Sequence, residues 1–211
     1  DVKSAAQKTL QDIAIQHARI VYNGDNYTEE WVAEAAKRGL PNIRSTYESL
    51  MSFPTPEHIE LFSRHGVLCK QEMEARAELL LEGYSKQINI EARTMLSMAR
   101  RQILPVCCEY SAKLGKAVAA ISGAGVSAET QKKLLERVCG LITTMDSQVE
   151  ALEKVTAKAA GTHDAENQAK SFREDVIPAM VALRQTADEL ETIVDAKLWP
   201  LPSYAEMLFV R

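Results

Sequence analysis

The chain has 211 residues, of which 46% are apolar and 26% are charged, and its formal net charge is −4. This balance is typical of a globular protein and excludes a disordered or collagen-like chain. Basic residues are mixed with acidic ones, and no apolar run approaches the roughly 18–20 residues that span a bilayer, so we expect neither a nucleic acid nor a membrane as partner.

The first third of the chain contains short segments with helical periodicity. Helices are predicted over residues 3–18, 28–38, 44–51 and 56–65. Gly39 ends the second of these, and Gly66 ends the fourth. The fourth begins with Thr55 at its N-cap and Pro56 at its first helical position. A strand-like stretch occurs only briefly, as RIVY at residues 19–22.

Residues 21–31, VYNGDNYTEEW, concentrate polar side chains between the first two helices. An EF-hand calcium loop starting at Asp25 needs an oxygen ligand at its third position and glycine at its sixth, where Tyr27 and Glu30 stand. The Asn-Gly pair suits a hairpin turn, but a helix follows it. We therefore favour a turn that leads into a capped helix. A side-chain cap could come from Asp25, Asn26 or Thr28.

The remainder of the chain carries much longer helical patterns. Helices are predicted over residues 70–122, 128–159 and 165–197. Apolar residues recur in steps of three and four along each of them; the first stripe runs from Met73 through Leu81 to Val118. Pro105 and Pro178 lie inside the first and third patterns, and we expect each to kink its helix.

Long helices joined by short turns must run antiparallel. The predicted fold class is therefore all-α: an elongated antiparallel helical bundle of three long helices, two of them kinked at proline, with shorter N-terminal flanking helices. We expect residues 1–66 to form the flanking helices and the turn, residues 67–198 the bundle, and residues 199–211 an aromatic, proline-rich tail that packs back. All three parts belong to one domain.

Motifs that carry chemistry are absent from the sequence. There is no GxSxG nucleophile elbow, and SGAGVS at residues 122–127 lacks the pattern of a phosphate loop. The acidic run that includes Glu78 and Glu82 lacks the Glu-x-x-His of di-iron bundles, so a solvated face is expected. The four cysteines form no CxxC pair, and the four histidines are scattered. We predict no catalytic, cofactor-binding or metal-binding residue, and a reducing, cytoplasmic setting.

Three stretches of the chain, residues 19–50, 58–105 and 188–210, together resemble the helical C-terminal region of the type III glutamine synthetases. They carry the patterns R-I-x-[FY]-N-G-D-x-Y-x-x-E-W, I-E-A-x-T-M followed by I-L-P, and W-P-x-P-x-Y. The sequence also begins without methionine and without the segments of a signal peptide, so we expect a piece of a longer protein.

The resemblance implies a parent enzyme of nitrogen assimilation that ligates ammonia to glutamate with ATP and Mg or Mn. Its active site would lie upstream, so this segment alone is expected to be inactive. The implied partners are the catalytic domain of the same chain and further copies of the parent, arranged as stacked rings. The candidate interdomain contacts are Asp25, Tyr27, Trp31, Trp199 and Tyr204.

Two other interpretations stay open from the residues alone. Amphipathic helices of this kind also occur in stand-alone adaptor or signalling modules, because an apolar stripe indicates only that a helix packs on another. The methionine and aromatic residues of the long helix could instead belong to a small-molecule sensor, although they fit a helical core better than a pocket.

Overall fold

The computed structural model describes residues 1–209, and every regular element in that range is a helix. The prediction of an all-α protein is therefore confirmed. The chain divides into two compact units, residues 1–49 and the part that begins at Leu50. The predicted boundaries after residues 66 and 198 stay predictions, and the predicted tail, 199–211, extends two residues beyond the described range.

The first unit holds two helices and the start of a third. These are α1 (Val2–Gln16), α2 (Glu29–Lys37) and α3 (Thr46–Ser52), which continues into the second unit. The strand-like RIVY is not a strand, since Ala18–Ile20 forms a 3₁₀ turn. Its carbonyl groups find a side-chain donor instead of a second strand: the Arg38 guanidinium donates to the carbonyls of Arg19 and Val21.

The second unit contains the remaining helices, both long and short. They are α4 (Pro56–Arg64), α5 (Lys70–Met98), α6 (Leu104–Gly123), α7 (Glu129–Ala160), α8 (Ala165–Ser171), α9 (Ile177–Glu191) and α10 (Tyr204–Leu208). As predicted, α4 has Thr55 at its N-cap and Pro56 in its first turn. Gly66 follows its end with a φ of 63°, a left-handed conformation that glycine adopts without steric cost.

The core of the second unit follows the predicted apolar stripes. Every residue of the first stripe is buried or half-buried. Three consecutive leucines on α5 show that burial depends on position around the helix. Leu79 is 67% exposed and Leu80 is 54% exposed, whereas Leu81, the one on the stripe, is 6% exposed. The core cluster joins α5 and α6 to α7 and α9 through residues such as Met145 and Leu190.

A π-helical turn precedes each of the two prolines at which a kink is predicted. The turns cover Ala99–Ile103 and Phe172–Val176, and Pro105 and Pro178 follow them in the first turn of the next helix. Proline has no N–H to donate, and its ring crowds the carbonyl four residues earlier. In the π turn at Ala99–Ile103, the amide of Leu104 donates to the carbonyl of Ala99, five residues earlier. This bond widens the helix just before Pro105.

The third long helical stretch ends earlier than predicted, at Glu191 instead of residue 197. The Thr192 hydroxyl donates to the Glu189 carbonyl at 2.7 Å, and the Asp195 carboxylate accepts the amide of Lys197 at 3.0 Å. These side-chain contacts accompany the turns that follow the helix. The chain then continues so that Leu198 and Trp199 pack on the core cluster.

Ion pairs tie the surfaces of the long helices together. Arg100 donates to both carboxylate oxygens of Glu153, at 2.7 and 2.5 Å, and Arg137 donates to Glu189 at 2.8 Å. All four side chains are at least 40% exposed, so solvent screens each pair and its contribution to stability is small. Across residues 1–209, no helix combines the length and apolar character required to cross a membrane.

Candidate functional site

The polar stretch predicted as a turn folds around the guanidinium group of Arg38, at the end of α2. Arg38 Nε donates to Glu34 Oε1 at 2.7 Å, and its Nη1 donates to the Val21 carbonyl at 2.7 Å. The same guanidinium lies 5.8 Å from the ring centroid of Tyr22 and 5.7 Å from that of Trp31. We call these five residues the Arg38 cluster. The hydrogen bond that Glu34 accepts from Arg38 holds the pKa of Glu34 below the ordinary glutamate value.

The two aromatic rings of the Arg38 cluster stack on each other, and one of them lies close to Gly24. The ring centroids of Tyr22 and Trp31 are 4.6 Å apart, with an angle of 32° between the planes. A Cβ atom on Gly24 would lie 2.5 Å from Cε1 of Tyr22, well inside van der Waals contact. A side chain at position 24 would therefore displace the Tyr22 ring and disturb its stacking on Trp31.

The turn into α2 is confirmed, although its cap differs from the prediction. Asp25 Oδ1 accepts the amide of Tyr27 at 2.9 Å, and the Thr28 hydroxyl donates to the Asp25 carbonyl at 2.9 Å. Thr28 occupies the N-cap position, but its side chain makes no capping bond to α2 because it points back into the turn. The carboxylate of Asp25 is thus used locally, while the phenol of Tyr27 is 100% exposed.

The five residues predicted as interdomain contacts differ in what the structure leaves available. Tyr27 and Tyr204 are exposed, the latter by 82%, and both can reach a partner. Trp31 is used in the Arg38 cluster, and Trp199 packs on the core of the second unit. The indole N–H of Trp199 finds no hydrogen-bond acceptor within residues 1–209. Asp25, Tyr27 and Trp31 belong to the first unit, and the other two to the second.

Sequence reasoning missed the central residue of this cluster. From the sequence alone, Arg38 is only a basic residue that suits the C-terminal end of a helix. Its contacts with the carbonyls of Arg19 and Val21 join positions 19 and 17 residues apart, which no local pattern reveals. The one available signal was the co-occurrence of Tyr22, Trp31 and Arg38 around a tight turn, since arginine stacks readily on aromatic faces.

Reactive and metal-binding groups are sparse in the described part of the chain. Burial raises the pKa of the Cys107 thiol to about 11, which keeps it protonated and unreactive at neutral pH. The other three cysteines are exposed. Between residues 1 and 209 there is no group of three or more His, Cys, Asp or Glu side chains that could hold a metal ion.

An apolar crevice of about 590 Å³ is formed mainly by residues of α5 and α9. Methionines dominate one part of its wall: Met95, Met98, Met145 and Met180. Asp188, which pairs with Arg184 at 3.3 Å, stands at this crevice. The methionines of the long helices thus line this crevice as well as the core, and its polar lining residues, such as Glu91 and Arg184, do not identify a ligand.

The family model and the individual proteins that match this chain all belong to the glutamine synthetases. The sequence model of the glutamine synthetase C-terminal domain matches residues 5–122. The chain is 35% identical to a glutamine synthetase of Butyrivibrio fibrisolvens, over 99% of the chain and 30% of that protein. It is 33% identical to a type-3 glutamine synthetase of Dictyostelium discoideum, over 99% and 29%. A glutamine synthetase of Bacteroides fragilis (strain YCH46) is 27% identical, over 97% and 29%. The chain therefore spans about 30% of the length of these relatives.

Proposed function

Because this chain belongs to the family of glutamine synthetase C-terminal domains, we propose that it is the helical C-terminal part of a type III glutamine synthetase. Its role in that protein is structural: it packs on the catalytic part of the same polypeptide and contributes to the surface of the assembled enzyme. The observation that carries the proposal is the family match over residues 5–122, supported by similarity to whole glutamine synthetases over nearly the entire chain.

The proposed scaffold is an elongated antiparallel bundle of three helical stretches. They cover residues 70–123, 129–160 and 165–191. Two ion pairs between the second and third stretches support the antiparallel direction. Arg137 pairs with Glu189 and Lys158 pairs with Asp175, so residue numbers rise along one stretch while they fall along the other. Such a bundle, with a core of its own, is suited to act as a rigid platform.

The proposed parent activity is the ATP-dependent ligation of ammonia to glutamate, with Mg or Mn as the metal ion. Described residues of this chain offer no cluster of metal ligands, so we assign none of that chemistry to them. The same proposal implies that the parent forms a homo-oligomer of stacked rings in the cytoplasm. Tyr27 and Tyr204 are the exposed aromatic residues that we propose as contacts with other parts of the enzyme.

The test compares three proteins: the chain 1–211 alone, the full-length parent, and the parent from which this segment has been deleted. We expect glutamine formation from glutamate, ammonia and ATP with the full-length parent and none with the chain alone. Turnover by the chain alone would refute the assignment of a non-catalytic role. Deletion of the segment should lower the thermal midpoint or change the number of subunits in the assembly, as counted by native mass spectrometry. If neither changes, the segment has no structural role.

A further inference from the structure

The first unit has no core of its own. None of residues 1–49, all of which the structure describes, is buried. Every residue of α1 is exposed, among them Leu10 at 67% and Ile13 at 49%. By contrast, the second unit buries large side chains such as Phe172 and Leu152 completely. Burial of apolar area is what offsets the entropy of folding, so a segment without a buried residue, and α1 above all, needs a surface outside itself to be stable.

The exposed apolar residues of α1 form one stripe. At about 100° per residue, Ala6, Leu10 and Ile13 fall within an arc of roughly 60°. Lys8 and Gln11 lie on the opposite side, together with one apolar exception, Ile15. A helix of 15 residues with no packed face is only marginally stable in water. The stripe is therefore the face through which a partner would stabilise α1.

The position of α1 in the family identifies the partner. The family match begins at residue 5, inside α1, so this helix belongs to the common C-terminal domain and lies at its upstream boundary. The larger part of each relative's length lies outside the region similar to this chain. A segment joined directly to α1 would be held at high effective concentration beside the stripe, which favours it over a separate molecule.

We propose that α1 docks through Ala6, Leu10 and Ile13 on the catalytic part of the same polypeptide. This inference rests on the proposed function, because it takes its partner from the parent enzyme. It adds the contact surface: α1 forms one side of the interface and becomes a stable helix only when that interface forms.

Hydrogen–deuterium exchange measured by mass spectrometry tests the proposal on the full-length enzyme and on the chain 1–211. In the chain alone, peptides within residues 2–16 should exchange at nearly the unfolded rate. In the full-length enzyme, the same peptides should exchange at least about 10-fold more slowly, because docking suppresses local opening. Equal exchange rates in the two proteins would overturn the proposal, whether both are fast or both are slow.

A pair of variants of the full-length enzyme tests the stripe itself. Leu10→Glu places a charge on the proposed contact face, and Gln11→Glu places the same charge on the opposite face with little change in helix propensity. We expect Leu10→Glu to abolish the roughly 10-fold protection of residues 2–16 and Gln11→Glu to preserve it. Retained protection in Leu10→Glu, or equal loss in both variants, would show that the stripe is not the contact.

These outcomes separate the inference from the proposed function. A full-length enzyme that forms glutamine while residues 2–16 remain unprotected would overturn the docking of α1 and leave the proposed function intact. Protection of residues 2–16 in a full-length protein that forms no glutamine would support the docking surface and overturn the proposed activity of the parent.

Discussion

Three consecutive leucines on α5 permit a matched test of the core. Leu81 is 6% exposed, and Leu79, two positions earlier on the same helix, is 67% exposed. Replacing Leu81 with alanine removes carbon atoms worth about 2.4 kcal/mol at roughly 0.8 kcal/mol per buried methylene, and leaves a cavity. Leu81 lines a crevice beside Asp164 and Ala165, so water can partly fill that void. We therefore expect the lower end of the usual range, about 3 kcal/mol.

Leu79→Ala removes a side chain of which only about a third is shielded from water. The expected loss is at most about 0.8 kcal/mol, reduced further by the higher helix propensity of alanine. Urea unfolding of the chain 1–211, followed by circular dichroism, measures both variants. With a slope of about 2–3 kcal/mol per molar urea, Leu81→Ala should lower the midpoint by roughly 1 M and Leu79→Ala by less than about 0.4 M.

Equal midpoint shifts in the two variants would refute the reasoning, because the two substitutions differ only in burial. A larger shift for Leu79→Ala would mean that α5 presents a different face to the core. If the slope itself changed in one variant, the comparison would have to use the free energies of unfolding instead of the midpoints. Leu79→Ala thus serves as an internal control for the change in helix propensity.

Three further predictions concern single side chains. Cys107 should resist a thiol reagent at pH 7 and react only on unfolding, while the other three cysteines react in the native chain; modification of all four without unfolding would contradict its burial. The pKa of Glu72 is lowered by the backbone amide at the start of α5, so the stability it adds is present above the ordinary glutamate value of 4.5 and is lost as pH falls through the folded value. Glu72→Gln should therefore lower the unfolding midpoint at pH 7, and its difference from the unchanged chain should disappear in acid; a constant difference would contradict this. Gly24→Ala should displace Tyr22 from Trp31 and alter the near-ultraviolet circular dichroism, and an unchanged spectrum would mean that position 24 tolerates a side chain.

Periodicity predicted the helices well because burial in this fold is decided by position on a helical stripe. It placed Leu81 inside, and local chemistry placed Pro56 at the start of α4 and Gly66 after its end. It missed Ser85, which is 2% exposed on the same face, because a small polar residue does not register as apolar. The sequence pattern therefore yields the face of a helix more reliably than its full composition.

The features that sequence reasoning missed depend on contacts or on backbone choices that side-chain patterns do not encode. A proline inside a helical pattern predicts a kink, but the pattern does not show which backbone hydrogen bonds change, and here a π turn precedes each proline. Ala99–Ile103 adopts the π turn while Ala99 and Ile103 keep their places in the core. The cluster around Arg38 likewise needs the turn to bring Tyr22 and Trp31 together before the guanidinium has anything to bind.

The family match covers only part of the residues that form the core, which matters for which segment can fold by itself. The match ends at residue 122, within α6. The stripes of α5 and α6 are nevertheless buried against Met145, Leu152 and Phe172, which lie beyond it. Residues 5–122 alone would expose that face, at a cost of about 25 cal/mol for each Å² of apolar surface. The matched segment is therefore no independent folding unit, and the similarity to whole relatives over 97–99% of the chain is the one that reflects the packed structure.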